Sequence, residues 1–106
     1  MKEKKKVYLS LPISGYDLTE RIQTALKVEL SLHEKGYDVF NPLDNGLARD
    51  ASTHEHMKAD IKAMLDCDIV LFMSGFNRSV GCHTELTVAM ATGMDIWFQD
   101  IEILKT

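Results

Sequence analysis

Short runs rich in apolar residues alternate along the chain with longer segments whose apolar positions recur at helical spacing. Four of these runs predict strands, at residues 7–11, 37–40, 68–73 and 95–98. After its first acid the third run is wholly apolar, which is typical of a parallel strand covered on both faces.

Three helices are predicted between these strands. The first carries an apolar stripe made of Leu18, Ile22, Ala25, Leu26 and Leu30. The second and third are indicated by the apolar positions within residues 57–65 and 86–90. Gly36 and Gly93 end the first and third helices, as glycine commonly does.

This alternation of strand and helix implies right-handed crossovers and a parallel sheet. We predict one α/β domain over residues 1–106, a flavodoxin-like or Rossmann-like three-layer sandwich. Its parallel sheet would have four to five strands in the order 2-1-3-4. The loops at residues 12–17 and 74–81 would then open at the topological switch point, where such sheets bind ligands.

The chain has 106 residues, 45% of them hydrophobic, which suits a single domain with a buried core. Its net charge of −4 gives no basic footprint, so we expect no nucleic-acid partner. No apolar segment reaches the roughly 18 residues of a membrane span, and no signal peptide is recognisable. Cys67 and Cys82 form no close pair, which favours reduced thiols and a cytoplasmic location.

The chemistry-bearing residue that stands out is Glu85, which follows the polar loop after the third strand and is expected in the first turn of the third helix. A solvated acid in that place would be stabilised by the helix dipole. Alternatively, the carboxylate is a nucleophile at an anomeric carbon, since carboxylates can form covalent glycosyl intermediates. The helix N-terminus would then keep it ionised.

Other residues near the switch point have two interpretations each. Ser79 and Gly81 either cap the third helix or bind an anion, with Gly81 allowing a ligand to approach closely. Ser14 and Gly15 present the same alternatives. Asp60, on the second helix, is either a surface acid or part of the site.

His54 and His56 form an H-x-H pair that could begin a metal site. No third ligand follows at a matching spacing, so we predict neither a metal nor another cofactor.

Several segments together resemble the nucleoside 2-deoxyribosyltransferase-like superfamily, especially its short members from bacteria and phages. They are residues 7–15, Asp60 with Ile61, residues 67–70, and residues 79–85. In the last segment the family has Asp or Ser, any residue, Gly, three more residues and then the nucleophilic Glu, and this spacing is met here.

The resemblance implies an enzyme that acts on an N-glycosidic bond. By its pattern Glu85 attacks C1′ of a deoxyriboside, Asp60 acts on the leaving base, and Tyr8 is a strand tyrosine near the site. Ser79 matches the position that holds the 5′ end of the sugar. The predicted substrate-binding residues are Pro12, Ile13, Ser14, Gly15, Gly75, Asn77, Ser79 and Gly81.

A neutral Ser79 stands where the transferases have Asp, which favours a nucleoside 5′-monophosphate over a free nucleoside. Leu11 replaces a family glycine and the chain is short, which favours the alternative of a non-catalytic nucleotide-binding or sensing module. A TIR-like NAD-cleaving domain is a third alternative. We also predict a homodimer or higher oligomer, because Trp97, Ile101, Ile103 and Leu104 offer apolar surface.

Overall fold

The fold is described by a computed structural model over residues 4–48 and 50–100. Within them, four strands form one all-parallel sheet in the order β2-β1-β3-β4, which confirms the predicted order. The strands are β1 (Lys6–Ser10), β2 (Asp38–Phe40), β3 (Ile69–Phe72) and β4 (Asp95–Phe98).

The sheet lies between helices on both of its faces. The helices are α1 (Leu18–Glu34), α2 (Thr53–Leu65) and α3 (Val80–Ala91), with short 3-10 turns at Pro42–Asp44 and Phe76–Arg78. The α1 helix covers one face, and α2 and α3 cover the other. The result is the α/β three-layer sandwich that the alternating pattern predicts.

The central strand β1 shows how the sheet divides its side chains. Val7 and Leu9 join a buried cluster under α1, whereas Tyr8 packs in the cluster under α2 and α3. Ser10 is directed to the same face as Tyr8, where it contacts α3. One strand therefore contributes apolar residues to one core and two hydroxyl groups to the other.

Most of the apolar stripe of α1 does not face the sheet. Its members other than Ala25 are 39–53% exposed: Leu18, Ile22, Leu26 and Leu30. The inner face instead carries Arg21, Ala25 and Leu32. Arg21 can be buried because its guanidinium is well partnered. It donates to both carboxylate oxygens of Glu20 at 2.6 Å and to the Pro12 carbonyl at 3.3 Å, and it lies 4.3 Å from the centre of the Tyr16 ring.

Among the described residues, no helix combines the length and apolar character needed to cross a membrane. Trp97 packs edge-on against Tyr37, with ring centres 5.3 Å apart, and is only partly exposed. The other residues of the predicted association surface, Ile101, Ile103 and Leu104, lie outside the described residues.

Candidate active site

A cavity of about 730 Å³ opens beside the carboxyl ends of β1 and β3. This is the switch point of the sheet. After β1 the chain adds β2 on one side of that strand, and it then adds β3 on the other side. Most of the predicted site residues line this cavity: Tyr8, Pro12, Ile13, Ser14, Asp60, Gly75, Ser79, Gly81 and Glu85.

Glu85 lies at the wall of this cavity, with only 6% of its surface exposed. Both of its carboxylate oxygens accept hydrogen bonds from β1. The Tyr8 hydroxyl donates to Oε2, and the Ser10 hydroxyl donates to Oε1 at 2.7 Å. Alternation along the strand brings Tyr8 and Ser10 to the same face, so that one carboxylate receives both donors.

Glu85 is not in the first turn of its helix. The α3 helix begins at Val80, and the Ser79 hydroxyl accepts a hydrogen bond from the Cys82 amide at 3.2 Å as its N-cap. Glu85 is therefore in the second turn, and the helix dipole does not account for its state. Burial raises the pKa of Glu85, and the bonds from the Tyr8 and Ser10 hydroxyls oppose that rise.

Tyr8 remains a hydrogen-bond donor in this environment. Burial, together with the negative charge of Glu85, raises the pKa of Tyr8 far above its ordinary value. Its ring stacks on Phe40 of β2, with centres 5.5 Å apart and planes 8° from parallel. The hydroxyl is thus fixed by the packing of its own ring.

Asp60 lies on α2 and is partly buried at the same cavity. Its Oδ1 accepts a hydrogen bond from the Asn45 amide at 3.0 Å. Burial raises the pKa of Asp60, while that hydrogen bond works in the opposite direction. A carboxyl with a raised pKa is better suited to donate a proton than an ordinary surface acid.

The part of the cavity at the start of α3 is suited to an anion. The Ser79 oxygen accepts the cap bond, so its hydroxyl proton can still be donated to a ligand. The backbone N–H groups of Val80 and Gly81 have no acceptor among the described residues. Arg78 also lines the cavity and is its only Lys or Arg side chain among those residues. Ser14 adds a hydroxyl from the first loop.

The two loops of the switch point meet at Gly75. This glycine has φ +89°, and a Cβ there would lie 2.8 Å from the Tyr16 hydroxyl and 3.4 Å from a Pro12 side-chain carbon. Glycine is required both for the backbone conformation and for this close approach. The first loop is held from behind by Arg21, which donates to the Pro12 carbonyl.

Two predicted substrate-binding residues do not line the cavity. Gly15 is exposed in the first loop, and Asn77 is exposed with its carbonyl bonded to the His83 ring at 2.8 Å. The sequence interpretation did not name Ser10, Asn45 or Arg78, and it considered His56 only as a metal ligand. Of these, only Ser10 could have been found from the sequence, because it follows Tyr8 by two positions on a strand and therefore lies on the same face.

Cys82 lines the same cavity but is a buried, free cysteine, as is Cys67. Burial is the main cause that raises the pKa of the Cys82 thiol, so it is a protonated and weak nucleophile. Within residues 4–48 and 50–100, no three His, Cys, Asp or Glu side chains come together as a metal site would require. His56 instead bonds to Asn45.

Comparison with known proteins identifies a family whose function is not known. Residues 5–98 match a family model described as a domain of unknown function, DUF4406. No curated protein matches the chain. The function must therefore be argued from the geometry of the site.

Proposed function

We propose that this chain, which belongs to the DUF4406 family, is an N-glycosidic-bond enzyme with Glu85 as its nucleophile. The observation that carries the proposal is a buried carboxylate, held by the Tyr8 and Ser10 hydroxyls, at the wall of a cavity large enough for a nucleotide. A residue needed only for folding would not require a carboxylate in this environment, because burying one is costly. The resemblance to the nucleoside 2-deoxyribosyltransferase-like superfamily points to the same residue.

In the first step, a Glu85 oxygen attacks C1′ of the sugar and forms an ester bond as the bond from C1′ to the base nitrogen breaks. The electron pair of the broken bond goes to the base, and Asp60 supplies the proton that neutralises it. In the second step, water attacks C1′, its proton passes to Asp60, and Glu85 leaves as a carboxylate. The two steps together hydrolyse the nucleotide and restore both side chains.

The substrate class that fits best is a 2′-deoxynucleoside 5′-monophosphate. Arg78, the Ser79 hydroxyl and the two open N–H groups at the start of α3 together favour a phosphate at this end of the cavity. An aspartate at position 79 would repel such a group. Hydrolysis is favoured over transfer when water rather than a second base reaches the glycosyl intermediate.

The test is a screen of nucleosides and their 5′-monophosphates for base release, read by chromatography, with the wild type and Glu85→Gln. We expect a 5′-monophosphate to be hydrolysed, with a loss of several orders of magnitude in the variant because the nucleophile is gone. Nucleotide binding should survive in Glu85→Gln. Glu34→Gln, at an exposed position on α1, is the control and should keep full activity. Retention of activity within about tenfold by Glu85→Gln would refute the proposal.

A non-catalytic nucleotide-binding module is the second candidate, and Leu11 is the observation that favours it. This side chain lines the cavity, is 6% exposed, and narrows the space that a base would enter. Calorimetry distinguishes the candidates, because nucleotide binding without base release would support the module. A Leu11→Gly variant that gains turnover would identify Leu11 as the obstacle.

We also propose that the chain forms a homodimer through the exposed stripe of α1. The side chains of Leu18, Ile22, Leu26 and Leu30 make one row along the helix, and Leu18 also lines the cavity. Such a row can pack on its own copy about a two-fold axis, which would bring the second copy to the mouth of the site. Light scattering should give a dimer for the wild type and a monomer for Leu26→Glu. Met90→Glu, at a 66% exposed position on α3, should remain dimeric. A monomeric wild type would refute this.

A further inference from the structure

Asn45 bridges two side chains of the cavity from the segment that joins β2 to α2. Its Nδ2 atom is 3.1 Å from the His56 Nδ1 atom and 3.0 Å from the Asp60 Oδ1 atom. Its Oδ1 atom accepts a hydrogen bond from the Leu47 backbone amide at 3.1 Å. His56 and Asp60 are four residues apart on α2, so they lie on the same side of the helix.

These contacts fix which way the Asn45 amide faces. A backbone N–H can only donate, so the atom that faces Leu47 is the amide oxygen. The amide nitrogen therefore faces His56 and Asp60, and each of its two N–H groups has one acceptor. Rotating the amide by half a turn would place two donors against each other at Leu47 and two acceptors against each other at Asp60.

The orientation of Asn45 determines the tautomer of His56. Because Nδ1 accepts a hydrogen bond, it carries no proton, and the proton of the neutral ring is on Nε2. Nε2 has no partner among the described residues, although the ring lines the cavity. His56 can thus donate one hydrogen bond to a ligand.

Asn45 has a matching effect on Asp60. Since Oδ1 is occupied by the Asn45 amide, a proton on this carboxyl belongs on Oδ2. That oxygen is the one left for a partner other than Asn45. His56 and Asp60 therefore each have one defined atom left for a ligand, and the Asn45 amide determines which atom that is.

We propose that Asn45 is a positioning residue that holds His56 as an Nε2–H donor and keeps the proton of Asp60 on Oδ2, where it meets the leaving base. This inference rests on the proposed function. The ligand feature it calls for is a hydrogen-bond acceptor on the base, a carbonyl oxygen or an unprotonated ring nitrogen, within reach of His56. His56 then orients the base while Asp60 protonates it.

The test is Asn45→Asp in the full chain. This change keeps the shape of the side chain and the bond from Leu47, but replaces the N–H donors by an acceptor. The matched control is Asn41→Asp, because Asn41 accepts from the Leu43 amide at 3.0 Å in the same way and donates to Glu29 instead. Two readouts are taken: ¹⁵N chemical shifts of the histidine rings at about pH 7.5, and hydrolysis of deoxyguanosine and thymidine 5′-monophosphates. The His56 signals are assigned by their loss in His56→Asn.

The wild type should show a bare Nδ1 and a protonated Nε2 at His56, and Asn45→Asp should move a proton to Nδ1. The variant should lose about tenfold or more in kcat, because the proton donor is misplaced, and its KM should rise, because the hydrogen bond from His56 to the base is lost. Asn41→Asp should change neither readout.

A protonated Nδ1 in the wild type, or an unchanged tautomer in Asn45→Asp, would overturn the assignment whether or not turnover occurs. Equal losses of kcat in Asn45→Asp and Asn41→Asp would reduce Asn45 to a structural role. If the wild type shows the expected tautomer but hydrolyses neither nucleotide, the role toward a leaving base is overturned together with the proposed function. The spectra thus separate the two failures.

Discussion

Glu85→Gln should stabilise the fold near neutral pH, although it removes the proposed nucleophile. The carboxylate is 6% exposed, and burial raises its pKa, so the fold holds a charge in a place that disfavours it. Glutamine has the same shape. Its oxygen can accept a bond from one of the two hydroxyls, and its N–H group can donate to the oxygen of the other.

The expected gain in folding stability is the difference between two opposing effects of the substitution. Hydrogen bonds to a charged acceptor contribute about 1.5–3 kcal/mol, and neutral ones about 0.5–1.5 kcal/mol, so the variant loses part of two bonds. Removing the charge avoids a desolvation penalty of several kcal/mol. We expect a net gain of about 1 kcal/mol, which corresponds to roughly 4–8 °C in the unfolding temperature of a domain of this size.

The pH dependence gives the sharper test. Because the pKa of Glu85 is raised in the folded state, the folded protein binds the proton more tightly than the unfolded chain does. The wild type therefore has its full stability below the unfolded Glu pKa of about 4.3, and loses stability as pH rises through the folded pKa. Glu85→Gln has no such loss, so its advantage should be small at about pH 4 and grow toward neutrality.

Urea unfolding followed by Trp97 fluorescence at several pH values measures this difference directly. Glu34→Gln, at an exposed position, should stay within about 0.5 kcal/mol of the wild type at every pH. A Glu85→Gln variant that is less stable than the wild type at pH 7 would contradict this prediction. A difference in stability between the two proteins that does not change with pH would contradict it as well.

Three further changes probe separate parts of the site. Tyr8→Phe removes one hydrogen-bond donor to Glu85. It should lower the rate of base release by about 10- to 100-fold, since a hydrogen bond to a charged group contributes about 1.5–3 kcal/mol. Full activity of the variant, measured by chromatography, would contradict this. Ser79→Asp should reverse a preference for the 5′-monophosphate over the nucleoside, measured by calorimetry, and unchanged relative affinities would count against a phosphate site. Gly75→Ala should cost about 1–3 kcal/mol in thermal unfolding, because φ is +89° and the new Cβ meets the Tyr16 hydroxyl. An unchanged unfolding temperature would show that the loops adapt.

The fold was predictable because strand and helix signals alternate without interruption. Right-handed crossovers then leave few arrangements, and the order 2-1-3-4 is confirmed. The observed ends of β1, β2 and β3 differ from the predicted ones by at most one residue, and β4 matches its predicted bounds. For example, β1 is Lys6–Ser10 where residues 7–11 were predicted. Hydrogen bonding across the sheet, rather than the local apolar run, decides where a strand begins and ends.

The apolar pattern of α1 does not by itself identify which face of the helix is buried. The row of Leu18, Ile22, Leu26 and Leu30 has the strongest apolar signal in that helix, yet Arg21 is buried in its place. Arg21 can be buried there because Glu20 pairs with its guanidinium, and Pro12 and Tyr16 supply further partners from the preceding loop. Such compensation depends on the tertiary structure and leaves no mark in the periodicity of the helix.

The candidate site was predictable only in part. Glu85, Asp60 and Tyr8 could be named from their motifs. The prediction that the helix N-terminus keeps Glu85 ionised was wrong, because the helix starts at Val80 and Glu85 lies in its second turn. Asn45 could not be found, since its contact with Asp60 spans 15 positions and depends on the path of an irregular segment. Residues brought together by such segments have no characteristic spacing.

The positions of the donors to Glu85 explain why rate and specificity should respond to different residues. Tyr8 and Ser10 lie on β1, which is paired on both sides by β2 and β3, so their hydroxyls cannot move without disturbing the centre of the sheet. Donors fixed in this way can stabilise charge without reorganisation. Arg78 is the last residue of a 3-10 turn and Ser79 is the N-cap of α3, so both lie in a connecting segment where the backbone can adjust more easily. Changes on β1 should therefore alter the rate of base release, and changes at the phosphate end should alter the choice of substrate.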